Sequence, residues 1–283
     1  METRTLARDE FPPSLLEIPQ PPEKLWLRGT LPPEGHKRLA VVGSRALSTY
    51  GREVCTKLVA GLAGYPISII SGLALGGDAA AHRAALTAGL HTVGVLGSGV
   101  SDKAISPRSN LGLAHDILSA GGALLSEHEP DYLPQPYDFP ARNRIVVGLA
   151  DAVLMIEAGE KSGTLITARL SSEYNRELLV VPHRIGDPHG YGAHLFLRLG
   201  ATLVTEPLHI LEALRILPQE PGTPSAPHLE GNEHTLYELL IEPRSREELI
   251  QHSRLTSGDV LTALVTLELK GLAKEEFGAW RRL

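Results

Sequence analysis

From residue 38 onward, short β-branched runs ending in glycine or serine alternate with alanine- and leucine-rich stretches. The runs fall at 39–42, 67–70, 92–96, 123–125, 152–156, 178–181 and 202–204, and most carry apolar residues on both faces, as buried parallel strands require. Between them, residues 50–63, 79–88, 111–120, 142–149 and 164–175 read as helices. Such alternation is the signature of βαβ units. The expected fold class is therefore α/β, with a doubly wound, mostly parallel Rossmann-like sheet.

The flanks read differently. The segment from Phe11 to Glu23 is too proline-rich for a helix and is expected to run extended, with a short edge strand at Leu25, Trp26 and Leu27. Residues 218–227 hold many helix breakers and no apolar face, which marks a linker. Beyond it lie three helical patterns, with Ser245 and Ser257 as N-cap candidates and Gly271 as a stop, and then a hairpin. Three helices and a hairpin make a winged helix. The expected domains are an N-terminal extension (1–37), a Rossmann-like domain (38–217), a linker (218–230) and a winged-helix domain (231–283).

Composition narrows the classes. A chain of 283 residues with 42% hydrophobic and 21% charged residues buries at least one substantial core, so disorder throughout is excluded. No apolar stretch approaches about 18 residues, and no basic segment followed by an apolar core opens the chain. No membrane partner is expected, and a cytoplasmic protein is. The lone Cys55 sits in an amphipathic pattern and reads as a buried structural thiol. A net charge of -6 argues against a uniformly basic coat while leaving room for a local cationic patch.

In open parallel sheets, ligands bind outside the carboxyl ends of the strands, where loops converge on helix N-termini. Those positions here hold Gly43-Ser44-Arg45, the run from Ser71 to Asp78, Gly97-Ser98-Gly99, and Glu157 through Ser162-Gly163-Thr164. Glycines let an anion approach the backbone, and Arg45 adds a planar fork of donors. The edge suits phosphate. The P-loop pattern is absent, Gly97-Ser98-Gly99 lacks the third glycine of a dinucleotide fingerprint, and no nucleophile elbow occurs.

Other polar clusters carry less. His183, His189 and His194 with Asp187 have no recognised metal-ligand spacing and read as a solvated loop, so no metal and no cofactor are expected. Asp78 and His82, four residues apart, read as a capping carboxylate and a structural histidine. Arg142, Asn143 and Arg144 follow an aromatic, proline-rich stretch containing Tyr137 and Phe139. Cations beside rings suit single-stranded nucleic acid, with stacking worth about 1–3 kcal/mol per base. A helix start with Phe139 as a hydrophobic staple and arginines paired to local acids accounts for the same residues.

Val42 to Arg45, Tyr50-Gly51, Ser71 to Ala74, Gly76 to Asp78, Ala81-His82, Ser126-Glu127, Phe139 to Arg144, Glu157-Ala158 and Ser162 to Ala168 together resemble the DNA-processing protein family DprA, also called Smf, over roughly residues 11 to 215. The resemblance implies a non-catalytic single-stranded DNA-binding protein. It implies a homodimer that protects incoming DNA and helps load RecA during natural transformation and recombination. It assigns DNA contacts to Arg45 and to Arg108, which follows Ser106-Pro107 where the family has Tyr-Pro, and base stacking to Phe139 or Tyr137. The candidate interface is thus Gly43, Ser44, Arg45, Arg108, Tyr137, Phe139, Arg142, Asn143, Arg144, Ser162, Gly163 and Thr164.

There are departures from the family pattern. Gly77 replaces an isoleucine, which is expected to loosen its turn, and His183 and His194 stand in motifs where the family has other residues. The helical domain that precedes the proline-rich segment in many members is not legible here. In the winged helix, Asp259 and Glu268 against Lys270 give a nearly balanced surface, expected to serve protein contacts rather than duplex DNA. The alternative function is a nucleotide-binding sensor or phosphoribohydrolase-like enzyme of related fold. Thr167 stands at the glutamate position of that motif and cannot act as general acid or base near neutral pH.

Overall fold

The structure, a computed structural model, describes residues 2–217, 229, 231–270, 272–276 and 278–282. The chain divides into two compact units, residues 1–218 and 219–283. In chain order the first unit contains β1 (Thr3–Leu6), α1 (Pro13–Leu16), β2 (Leu25–Gly29), β3 (Lys37–Val42), α2 (Thr49–Ala60), β4 (Ile67–Ser71), α3 (Gly77–Thr87), β5 (His91–Val95), α4 (Leu111–Ser119), β6 (Ala123–Ser126), α5 (Asp138–Leu149), β7 (Ala152–Met155), α6 (Thr164–Glu173), β8 (Glu177–Val180), α7 (Tyr191–Arg198), β9 (Thr202–Leu203) and α8 (Pro207–Ala213).

The nine strands form one sheet in the order β1-β2-β6-β5-β4-β3-β7-β8-β9. Strands β3 to β9 pair in parallel, while β2 runs antiparallel to both β6 and β1. Period two explains the layers. Along β3, Leu39 and Val41 join a core with Cys55 and Leu58 of α2 and Ile210 of α8, whereas Ala40 and Val42 join the opposite core with Ile145 of α5, Ala168 of α6 and Phe196 of α7. Both faces are covered, so the strands are apolar throughout. Each fully buried Leu, Ile or Val contributes about 1.5–3 kcal/mol of transfer free energy. Burial raises the Cys55 thiol to about 12, which keeps it protonated and inert.

The N-terminal segment differs from expectation. Its prolines do not prevent a helix: Pro13 occupies the first position of α1, where no N–H is needed and φ is already helical. Leu15 and Ile18 pack against Gly148 of α5, where any side chain would collide with them. The strand at Leu25 is not the edge, because β1 covers it. Helix α5 also begins four residues earlier than its apolar spacing indicates, with Asp138 accepting from Gln135 N–H at 2.7 Å and from Tyr132 Oη at 2.9 Å.

The second unit contains α9 (Gly231–Leu239), α10 (Arg246–Ser253), α11 (Ser257–Leu269), β10 (Ala273–Glu276) and β11 (Ala279–Arg282), with β10 and β11 antiparallel. Leu236, Leu249, Val260, Leu264, Leu267 and Trp280 form its core. Ser245 and Glu248 form a capping box at α10. The cap of α11 is Thr256 rather than Ser257, its hydroxyl accepting from Asp259 N–H at 3.3 Å. Outward on α11 stand Leu261, Val265 and Leu269, with no arginine or lysine between Ser257 and Leu269. Gly271 and residues 218–228, where the linker is expected, lie outside the described residues.

Candidate functional site

Strand order reverses at β3: the chain lays β4, β5 and β6 to one side and returns to lay β7, β8 and β9 on the other. Loops leaving the carboxyl ends of β3 and β7 must therefore part, and a crevice opens between them. It is a cleft of about 610 Å³. Gly43, Ser44, Arg45, Phe139, Arg142, Asn143, Ser162, Gly163 and Thr164 line it, so nine of the twelve residues singled out from sequence converge on one site.

The Gly-Ser-Arg turn is held from both sides. Ser44 N–H donates to the Glu157 carbonyl at 3.1 Å, and Gly77 N–H donates to the Ser44 carbonyl at 2.9 Å. Far from loosening this turn, Gly77 tightens it, because a Cβ there would come within about 3 Å of the Gly43 backbone. Arg45 leaves the turn exposed, with its guanidinium 5.4 Å from the centre of the half-buried Phe139 ring. No carboxylate pairs with Arg45 among the described residues. Across the cleft, α6 starts at Thr164 with no side-chain cap on its own first turn beyond the Ser162 hydroxyl, which accepts from Thr164 N–H at 3.2 Å. That helix start, exposed Lys161 and Arg45 make the cleft receptive to anions.

Arg142 behaves differently. Its guanidinium is buried and donates to the carbonyls of Gly72 and Val95, with Asp78 as its charge partner. Burial pushes the Asp78 carboxyl up from its ordinary value, opposed by the Arg142 charge and by the Ala74 N–H at 3.2 Å. Burial likewise lowers Arg142, opposed by Asp78. The pair lies under Gly72, where a Cβ would strike both side chains. Asp78 thus caps the turn before α3 rather than the first turn of α3 itself, whose N-cap is Gly76. His82, its helical neighbour, is buried and bonded to Thr92 Oγ1 at 2.7 Å.

Arg108, Tyr137 and Arg144 lie outside the cleft wall. Arg108 is exposed and donates to the Asp102 carbonyl. Tyr137 is 69% exposed where the chain enters α5. Arg144 grips Glu127 with two nitrogens, at 2.6 and 3.2 Å. The arginines of the Arg-Asn-Arg run therefore have internal partners, whereas Arg45 presents its charge outward.

Two features are not legible in the sequence. Lys161 stands in a loop that draws the eye for its glycine and hydroxyls. The histidine loop after β8 is not simply solvated: His189 Nδ1 lies 3.3 Å from Glu157 Oε1, and the His183 ring, 1% exposed, lies 3.8 Å from Oε2. Glu157 itself is wholly buried, accepting from Ser48 N–H and Ser48 Oγ, both at 2.7 Å. Only spatial proximity, supplied by three distant loops, links these groups. Among the described residues no cluster of three or more His, Cys, Asp or Glu has the arrangement to hold a metal ion. Nor is any described helix long and apolar enough to cross a membrane.

Fold and cleft define a doubly wound α/β protein with an anion-receptive crevice at its topological switch point, joined in sequence to a winged helix. Comparison with known proteins gives the family. The model of the DNA recombination-mediator protein A family matches residues 2–215, and that of the DprA winged helix domain matches residues 220–278. The chain is 38% identical to protein Smf of Escherichia coli over 96% of its own length and 75% of the relative's. It is 37% identical to the DNA processing protein DprA of Bacillus subtilis, over 76% and 71%. The solved DprA of Streptococcus pneumoniae superposes with a TM-score of 0.70 at 36% identity, covering 75% of this chain and 74% of that one. The DprA of Helicobacter pylori, solved to describe its single-stranded DNA binding mode, gives 0.66 at 29% identity, over 76% and 96%. The chain belongs to the DprA/Smf family of DNA-processing proteins.

Proposed function

We propose that this protein binds single-stranded DNA along the carboxyl edge of its sheet, without cutting it. As a cytoplasmic homodimer it protects incoming strands and helps load RecA during natural transformation and recombination. The observation that carries the DNA reading is the switch-point cleft: among the described residues of its wall the outward charges are the cations Arg45 and Lys161, and the one carboxylate, Asp78, is buried against Arg142. A phosphate backbone meets donors there and, among the described residues that line the wall, no free acid. Phe139 under Arg45 supplies a ring on which a base can stack. Arg108 extends the track beyond the cleft, and Gly43, Ser44, Ser162, Gly163 and Thr164 let the backbone come close. Family membership supports the RecA and dimer parts of the reading.

Fluorescence anisotropy with a labelled single-stranded oligonucleotide, competed by duplex and by mononucleotides, tests it. Salt-sensitive binding with weak competition from both is expected. Charge reversal at Arg45 or Arg108 should weaken binding and reduce the salt slope by about 0.7 for each phosphate that is no longer neutralised. Unchanged titrations in both variants refute the assignment, and tight competition by a mononucleotide transfers the cleft to a nucleotide-sensing role.

A further inference from the structure

Glu157 is a buried carboxylate that no lysine or arginine reaches within ion-pair distance among the described residues. Its oxygens take two hydrogen bonds from Ser48 and otherwise face imidazoles: His189 Nδ1 at 3.3 Å from one and His183 Nε2 at 3.8 Å from the other. An unmatched buried anion is costly, so the fitting counter-charge is an imidazolium. The two rings differ in access. His183 is enclosed, its Nδ1 on the Val181 carbonyl and its ring edge against Tyr50, whereas His189 is 37% exposed and lines the cleft. Its backbone is fixed as well, the Asp187 carboxylate accepting from His189 N–H at 2.8 Å and Ala158 N–H donating to the His189 carbonyl at 3.1 Å.

We propose that His189 is a pH-gated phosphate contact: Glu157 holds its Nδ1, so that the protonated ring offers Nε2–H to a nucleic-acid phosphate in the cleft. The inference rests on the single-stranded DNA reading and adds its regulation. A carboxylate on one ring nitrogen fixes the ring's orientation and leaves the other nitrogen to meet the ligand. When His189 is neutral, its ring carries no charge to the phosphate, and among the described residues of the wall Arg45 and Lys161 are the outward cations that stay. Among the described residues, the other charged and titratable groups of the elements packed about it are His183, Arg184 and Asp187 in its own loop, Glu160 and Lys161 beside Gly159, which faces the Pro188 carbonyl, Tyr191 and His194 of α7, Tyr50 of α2, and buried Asp78 with Arg142 across the cleft.

Filter binding of a radiolabelled oligothymidylate at constant ionic strength, from about pH 5.5 to 8.5, tests this, because only histidine among unperturbed side chains changes charge there. The wild type should bind several-fold more tightly at the acid end, with a salt slope steeper by about 0.7. His189→Gln should lose that step while keeping the affinity measured at the alkaline end. His183→Gln should keep it, and His189→Arg should bind at alkaline pH as the wild type does in acid. If His189→Gln retains the wild-type pH profile, or the wild type shows none, the proposal falls while single-stranded DNA binding stands. If the wild type binds no oligothymidylate at any pH, both fall.

Discussion

Replacing Arg142 with methionine separates a scaffold arginine from a DNA-gripping one. The structure places its guanidinium on the carbonyls of Gly72 and Val95 and beside Asp78, all buried. Methionine fills much of the space but leaves the Asp78 carboxylate without its cation and two carbonyls without a donor. Breaking a buried ion pair by removing one partner costs about 3–5 kcal/mol, a large share of the roughly 5–15 kcal/mol that holds a domain folded. With a urea m-value of about 2–3 kcal/mol per molar, the midpoint for the α/β unit should fall by roughly 1–2.5 M. Adding Asp78→Asn removes the stranded charge while keeping an acceptor for Ala74 N–H, so the double variant should regain a good part of the stability.

The sign with pH follows from Asp78. Its folded carboxyl already lies above its unfolded value because of burial, and removing Arg142 raises it further. A raised acid contributes stability below the unfolded value and loses it as pH climbs through the folded one. The cost of the Arg142→Met change should therefore be smallest in acid and grow as the solution is made neutral. Urea denaturation followed by circular dichroism, at several pH values, measures all of this. A variant as stable as the wild type to within about 0.5 kcal/mol, yet binding single-stranded DNA about ten times more weakly, would make Arg142 a ligand contact and refute the scaffold account.

Phe139→Ala should weaken single-stranded DNA binding by about 1–3 kcal/mol in an anisotropy titration if the ring stacks a base; a drop in stability with intact binding of the folded fraction makes it a staple instead. Gly72→Ala should destabilise by about 1–3 kcal/mol, lowering the calorimetric midpoint by several degrees, because the new Cβ meets the confined side chains of Arg142 and Asp78. Burial, aided by the charges of Arg142 and Arg83, lowers His82 to about 3. Its contribution to stability is therefore complete above its unfolded value near ~6.5 and vanishes as pH falls toward the folded one. Urea midpoints of His82→Gln should fall less steeply than those of the wild type over that window, and equal slopes exclude His82 as the source.

The sheet was legible because its strands are buried on both faces, so Leu39 to Val42 or Ala152 to Ile156 needed no partner to be recognised. The glycine- and hydroxyl-rich loops were legible for a similar reason: each carries its own conformational demand. What the chain did not disclose is direction. Arg142 and Arg144 look alike in sequence and stand two apart in a helix, yet one reaches the Gly72 turn and Asp78 while the other reaches Glu127. Those partners lie from 17 to 70 residues away, and α5 starts at Asp138 because of acceptor contacts that apolar spacing cannot register. The same holds for Glu157, whose neighbours Ser48, His183 and His189 come from loops that meet only after the sheet has formed. A count of basic residues near the cleft therefore overstates its field. The charge the cleft presents is what remains after internal pairing, and among the described residues of its wall that leaves Arg45 and Lys161 as the outward cations.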